Sequence, residues 1–234
     1  MTRKNNPNAP RRKYALLKWV RNFNAKNPGR TIATPDGFDP ETEVVGDPAR
    51  EFLRAMQRVA GLSTTGQFDH ATMVKLLPPG IRGEVMARAH AEVGEHEWPP
   101  GSNMGEIVEY LHSVGLGGGY PWCAAFATWV LKKEGFKHFP PNPASADSWG
   151  KWAKSKGCTK PVRNSMRGDL WCWEWGNNDG MLDHIGFVDE GVKGTQAWYL
   201  DGNVGAYGGS VTDAARSVSA VAVTIDLVRL RALK

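Results

Sequence analysis

No aspartate or glutamate occurs before Asp36 of this 234-residue chain, although nine lysines and arginines do. Beyond residue 35 the balance reverses to 20 basic against 24 acidic residues, so the net charge of +5 is a property of the N-terminus. A basic arm suits nucleic acid, an anionic membrane or an anionic wall polymer, and charge does not choose among them. Apolar runs are scarce as well. A secretory signal needs an unbroken apolar core, and "RRKYALLKWVRNF" is interrupted at Lys18 and Arg21. No stretch reaches membrane-spanning length. The expectation is a soluble protein made in the cytoplasm, with no export signal and no membrane anchor.

Cysteine is sparse too. Cys123, Cys158 and Cys172 are too few and too scattered for a disulfide scaffold, although a Cys158–Cys172 pair stays open. Neither a CxxC pair nor an HExxH pattern occurs, so no metal and no cofactor is expected.

With 41% hydrophobic residues the chain can build one large core, or a medium one with a small companion. Pro78-Pro79-Gly80 is the clearest break. Before it, "YALLKWVRNFN" and "AREFLRAMQRVAG" carry apolar residues at helical spacing, with Phe52, Leu53, Met56 and Val59 on one stripe. Asp69, after the Thr65-Gly66 turn, is placed to cap a third helix. Three divisions follow: a basic flexible tail over 1–12, a three-helix unit over 13–80 and a larger unit over 81–234.

In the larger unit helices are expected at about 82–93, 104–114 and 122–134. Then "GDLWCWEW", "HIGFVDEG", "TQAWYLDGN" and "AVAVTIDLVRL" read as strands. Helices first and strands later make the fold class α+β with an antiparallel sheet, preceded by a small all-α unit.

The stretch "PWCAAFATWVLKKEG" sets Cys123 at a helix start. A thiolate there is stabilised by unpaired backbone N–H groups and by the helix dipole, and the Cys123 N–H can serve as an oxyanion donor. Such a nucleophile needs a base. His70, His90 and His112 fall in predicted helices, and His96 and His138 in Pro-rich loops, which leaves His184 at the start of a strand. If residues 191–194 form a four-residue hairpin loop, His184 lies directly opposite Asp201. Asn203 shares that face, and either residue is positioned to orient the imidazole.

Alternation in "LWCWEW" places Leu170 and Cys172 on one face and Trp171, Trp173 and Trp175 on the other, with Cys172 a buried hydrophobe. Exposed indoles near the motifs, Trp98 and Trp122 among them, suit stacking on sugar or peptide groups. Glu97 and Asn103 of "EHEWPPGSN" are candidate contacts for a peptide ammonium or amide.

In order, "PWCAAFATWVLKKEG", "RGDLWCWEW", "DHIGFVDEG" and "YLDGN" resemble the motifs of CHAP domains, cysteine- and histidine-dependent amidohydrolases and peptidases of bacterial cell walls within the papain-like group. The likeness spans about residues 84–230. It implies a papain-like fold, with Cys123 as nucleophile, His184 as base and Asp201 and Asn203 as polar partners. Many relatives carry Glu where this chain has Asp201.

Residues 13–78, through Phe52, Gln57, Gly61-Leu62, Thr65-Gly66, Asp69, Thr72 and Leu76, resemble the small three-helix peptidoglycan-binding domain of wall hydrolases. Together the resemblances imply a monomeric phage endolysin held in the host cytoplasm until lysis. Its partner is peptidoglycan, not nucleic acid, and it acts as endopeptidase or N-acetylmuramoyl-L-alanine amidase. A glycosidase using Glu95 or Glu97, and a non-catalytic wall-binding or virion protein, are the alternatives.

Overall fold

The computed structural model describes residues 10–38, 47–175, 179–204 and 209–234. Most of the basic tail (1–9) and part of the loop joining the first two helices (39–46) lie outside the described residues. Among the described residues, no helix is long and apolar enough to cross a membrane.

Three helices come first: α1 (Pro10–Lys26), α2 (Asp47–Val59) and α3 (His70–Leu76). The expected stripe is the buried one, since Phe52, Leu53 and Met56 meet Leu16, Val20 and Met73 in the core. Gln57 is fully buried among them. Its amide nitrogen binds Thr65 Oγ1 at 3.0 Å and Thr72 Oγ1 at 2.9 Å, and its oxygen accepts the Gly66 N–H at 2.8 Å. One polar side chain thus satisfies the turn between two helices. Asp69 caps α3 as expected, accepting the Thr72 N–H at 2.8 Å, a contact worth about 1 kcal/mol.

After the 78–80 turn come α4 (Ile81–Ala91), α5 (Val108–His112), α6 (Cys123–Lys133) and α7 (Ala146–Ser155). A Cβ at Gly83 would fall 1.7 Å from the Pro78 carbonyl oxygen, so glycine is what lets the turn fold back onto α4. The apolar core runs on across this junction, from Leu77 to Val85 and Met86. Glu134, the C-cap of α6, binds Arg88 of α4 at 2.9 Å and lies 3.7 Å from His70 of α3.

Strands β1 (Thr159–Lys160), β2 (Leu170–Trp173), β3 (His184–Lys193), β4 (Gln196–Val204), β5 (Ser210–Ser217) and β6 (Val221–Ile225) form one antiparallel sheet in the order β1-β6-β2-β3-β4-β5. The fold is α+β. Helix α6 is the central helix: every residue from Cys123 to Leu131 is buried, and it packs on β3 and β4. Its alanines at 124, 125 and 127 keep that approach close. Leu170 and Cys172 join this core, whereas Trp171 and Trp173 form a second cluster with Val188, Ala197 and Tyr199, as the alternation requires.

Asp169, behind the left-handed Gly168 (φ 82°), is fully buried. It accepts from Arg82 Nη1 at 2.7 Å and from the Met166 and Leu227 N–H groups at 2.7 and 3.0 Å. The Gly-Asp turn therefore ties α4 and the C-terminal segment to the start of β2.

Several expectations need correction. "AVAVTIDLVRL" is not one strand: it ends at Ile225, and Asp226 caps a last helix, α8 (Leu227–Arg231), through the Val228 and Arg229 N–H groups. Helix α7, β1 and β5 were not expected. The β3–β4 hairpin is also tighter, because Lys193 pairs with Gln196 across a two-residue turn with Gly194 at φ 61°. Two register slips follow, between Val188 and Glu190 and between Glu190 and Lys193, so Asp201 lies opposite Gly186 and not opposite His184. The difference is two residues, and an even shift leaves His184 and Asp201 on one face.

Candidate active site

Cys123 is the first residue of α6, and its N-cap Trp122 makes no side-chain capping bond. The first turn thus presents backbone N–H groups at the thiol. His184 opens β3, directly across the ladder from Trp173, and is 2% exposed. Its Nε2 meets Asp201 Oδ2 at 2.9 Å, and Asp201 Oδ1 accepts from Thr212 Oγ1 at 2.9 Å. With Nε2 occupied, Nδ1 is the nitrogen left for the Cys123 sulfur, which acts on the ring from the start of α6.

Burial works against charge on His184. The adjacent Cys123 sulfur and the Asp201 carboxylate outweigh it and raise the imidazole from 6.5 to about 9. At neutral pH the ring is therefore held protonated, between the Asp201 carboxylate and the Cys123 sulfur. Asp201 is fully buried, so its charge is offset inside the protein and not by solvent.

Two glycines bring these pieces together. A Cβ at Gly186 would lie 2.8 Å from Asp201 Cβ and 2.5 Å from Tyr199 Oη, so its absence opens the diagonal from His184 to Asp201. A Cβ at Gly202 would lie 2.5 Å from Trp122 Cζ3, so its absence lets β4 rest on the start of α6. "HIGF" and "LDGN" thus carry a spacing device beside each polar residue.

The contact to His184 is made by Asp201. Asn203 stands in the left-handed region (φ 62°), where the β4–β5 register shifts. Trp122 is corrected: it is fully buried, 5.6 Å from Tyr110 and 6.5 Å from Phe126 between ring centroids, and is a core residue. Glu97 is 3% exposed, and its two oxygens accept the backbone N–H groups of Asn103 and Gly209. The Asn103 carbonyl accepts the Gly119 N–H at 2.8 Å, which secures this loop to the turn entering α6. Trp98 is 67% exposed.

Sequence reasoning did not assign Trp175, Thr212, Gly186 or Gly202 to the site. Trp175 stacks on His184, and alternation had already put it on the face of Trp173. Thr212 sits opposite Asp201 on β5, a strand with no apolar alternation to announce it. All three cysteines are free and buried, and burial pushes the Cys172 thiol well up, as for an inert core residue. Among the described residues, no group of three or more His, Cys, Asp and Glu is placed to hold a metal ion.

Residues 115–203 match the family model of the CHAP domain. The matched stretch holds Cys123, His184, Asp201 and Asn203, and it supports peptidoglycan hydrolysis as the general activity. No curated protein matches the chain. The CHAP match begins after α5, so α1 to α5 stand outside it.

Proposed function

We propose that the protein is a cysteine-dependent peptidoglycan hydrolase that cleaves an amide bond in the peptide part of the wall. The observation that carries this reading is the buried His184 held between Cys123 and Asp201, with the thiol on the first turn of a helix. The Cys123 thiolate attacks the amide carbonyl, and the Cys123 N–H, at the helix start, stabilises the oxyanion. Protonated His184 gives its proton to the leaving amine, which leaves a thioester on Cys123. His184 then takes a proton from water, whose oxygen attacks the thioester, and the thiolate departs. Asp201 fixes the imidazole's orientation throughout.

The reading extends to the rest of the chain. Residues 13–80 act as a wall-binding module and residues 81–234 as the hydrolase, in the manner of a phage endolysin acting as endopeptidase or N-acetylmuramoyl-L-alanine amidase. The burial of Glu97 and its two backbone partners disfavour it as a glycosidase carboxylate.

The test is digestion of purified peptidoglycan by the wild type and Cys123→Ala in parallel, with mass spectrometry of the soluble fragments. Fragments that require the thiol support the mechanism, and their masses name the bond. Equal release by both proteins, or new reducing sugars, would overturn it.

A further inference from the structure

We propose that Trp175 is a positioning residue for His184: its indole lies flat on the imidazole, fixes the plane of that ring and favours its protonated form. The ring centroids are 4.4 Å apart and the planes differ by 14°. That is within the range at which a cation is attracted to an aromatic face. Trp173, the cross-strand partner, stands 5.6 Å away at 37° and meets the imidazole obliquely. The flat contact belongs to Trp175 alone of these two.

Exposure points the same way. His184 is 2% exposed although it opens a strand, and Trp175 is 45% exposed. The indole takes the solvent contact that the imidazole does not.

Trp175 is in turn held from behind. Asp183 Oδ2 accepts the Trp175 N–H at 2.6 Å, and the Asp183 N–H donates to the Trp173 carbonyl at 2.7 Å. Asp183 precedes His184 in the chain, so one residue clamps the cover to the ring it covers. The charged groups facing His184 are Cys123 from α6 and Asp201 from β4, while the Asp183 carboxylate is turned to the backbone of Trp175.

The role has chemical content because the ring must do two things at fixed angles. Nε2 must stay on Asp201 and Nδ1 on the Cys123 sulfur, and rotation about the Cβ–Cγ bond would lose both. A flat indole opposes that rotation. Its electron-rich face also favours imidazolium over imidazole, and imidazolium is the form that protonates a leaving amine. The importance of this protonation rests on the catalytic reading proposed above.

The experiment is an NMR titration of the full chain labelled with 15N-histidine, without substrate, for the wild type, Trp175→Phe, Trp175→Ala, Asp183→Ala and Cys123→Ala. Trp175→Ala is expected to lower the titration midpoint of His184 by about one pH unit. Trp175→Phe retains most of the wild-type value, and Asp183→Ala falls between. Alkylation of Cys123 by iodoacetamide near pH 6 slows several-fold in Trp175→Ala and little in Trp175→Phe. A folded Trp175→Ala protein that titrates and alkylates like the wild type overturns the proposal. If the midpoint moves with Trp175→Ala but not with Cys123→Ala, the stack is supported and the catalytic pairing is what fails.

Discussion

Strand β3 takes part in two buried His–Asp pairs, one at its start and one at its middle. At its start His184 meets Asp201 at 2.9 Å; further along, Asp189 lies 3.1 Å from His90 of α4. Both pairs are almost wholly buried, with side-chain exposures of 3% or less. They differ in the third group. At His184 it is the Cys123 sulfur, and at Asp189 it is Arg167, whose Nε donates to the Asp189 carbonyl at 2.7 Å and stands 3.7 Å from its carboxylate.

A guanidinium beside the carboxylate completes a clamp between α4 and β3. A thiol beside the imidazole gives the ring a proton to exchange. A buried His–Asp pair is therefore not in itself a catalytic feature, and the group on the far side decides what it does.

The strongest way to break the comparison is Cys123→Ala, which strips the first pair of its third group. Wall cleavage is expected to fall to background. The His184 midpoint, raised to about 9 with the sulfur beside it, should drop toward the ordinary histidine range, because Asp201 is then the one charged group that opposes burial. Proton NMR of the histidine ring reads this directly.

Next is the carboxylate exchange. Asp201→Asn should lower kcat by about 100-fold or more, the scale lost when a proton carrier is no longer held in position. Asp189→Ala should leave kcat per folded molecule within about twofold yet cost about 3 kcal/mol in denaturant unfolding, as loss of one buried partner does. Equal activity losses at the two sites would erase the distinction.

Gly186→Ala probes the gap that only the first pair has. The added methyl would meet Asp201 and Tyr199, and a loss of about tenfold in kcat is expected with 1–3 kcal/mol of overpacking, roughly. A crystal structure of the variant with the 2.9 Å contact intact and full activity would remove Gly186 from the site.

The smallest effect is in pH. The folded midpoint of His184, about 9, lies above the unfolded 6.5, so its contribution to stability is fully present below pH 6.5 and lost as pH rises toward 9. Unfolding free energy from urea titrations should decline through that window in the wild type and decline less in Cys123→Ala.

Much of the site was legible because its chemistry is carried by ordered motifs. Cys123 begins a helix and His184 begins a strand, as periodicity required. Asp201 reached His184 even though the expected register was two residues off, because side-chain facing depends only on parity. Trp122 was misread because an indole next to a nucleophile has no sequence mark of burial; the missing side chain of Gly202 is what draws β4 over it. β5 was invisible since "SVTDAARS" has no apolar rhythm, and it forms through its ladder with β4. Helix α8 hid behind a β-branched run whose end is announced only by the capping Asp226. Glu97 looked like a cleft carboxylate, and its two backbone partners come from residues 103 and 209, which only the fold brings together.

The paired slips in the β3–β4 hairpin set a phase. One slip would carry every residue beyond it to the opposite face of the sheet; the second restores the facing and leaves β4 displaced by two residues, about 7 Å. Without either slip Asp201 would stand opposite Val188, too far along the strand to meet His184. The hairpin thus works like a vernier, in which the length of β4 from Gln196 to Asp201, read against the two slips, sets how far the acid stands from the base. Removing one residue of β4 between Gln196 and Asp201 would turn the carboxylate away from the imidazole, and removing two would keep it facing correctly but set it opposite Val188. A length change some distance from the thiol can therefore disable the site while every residue of the site is still present.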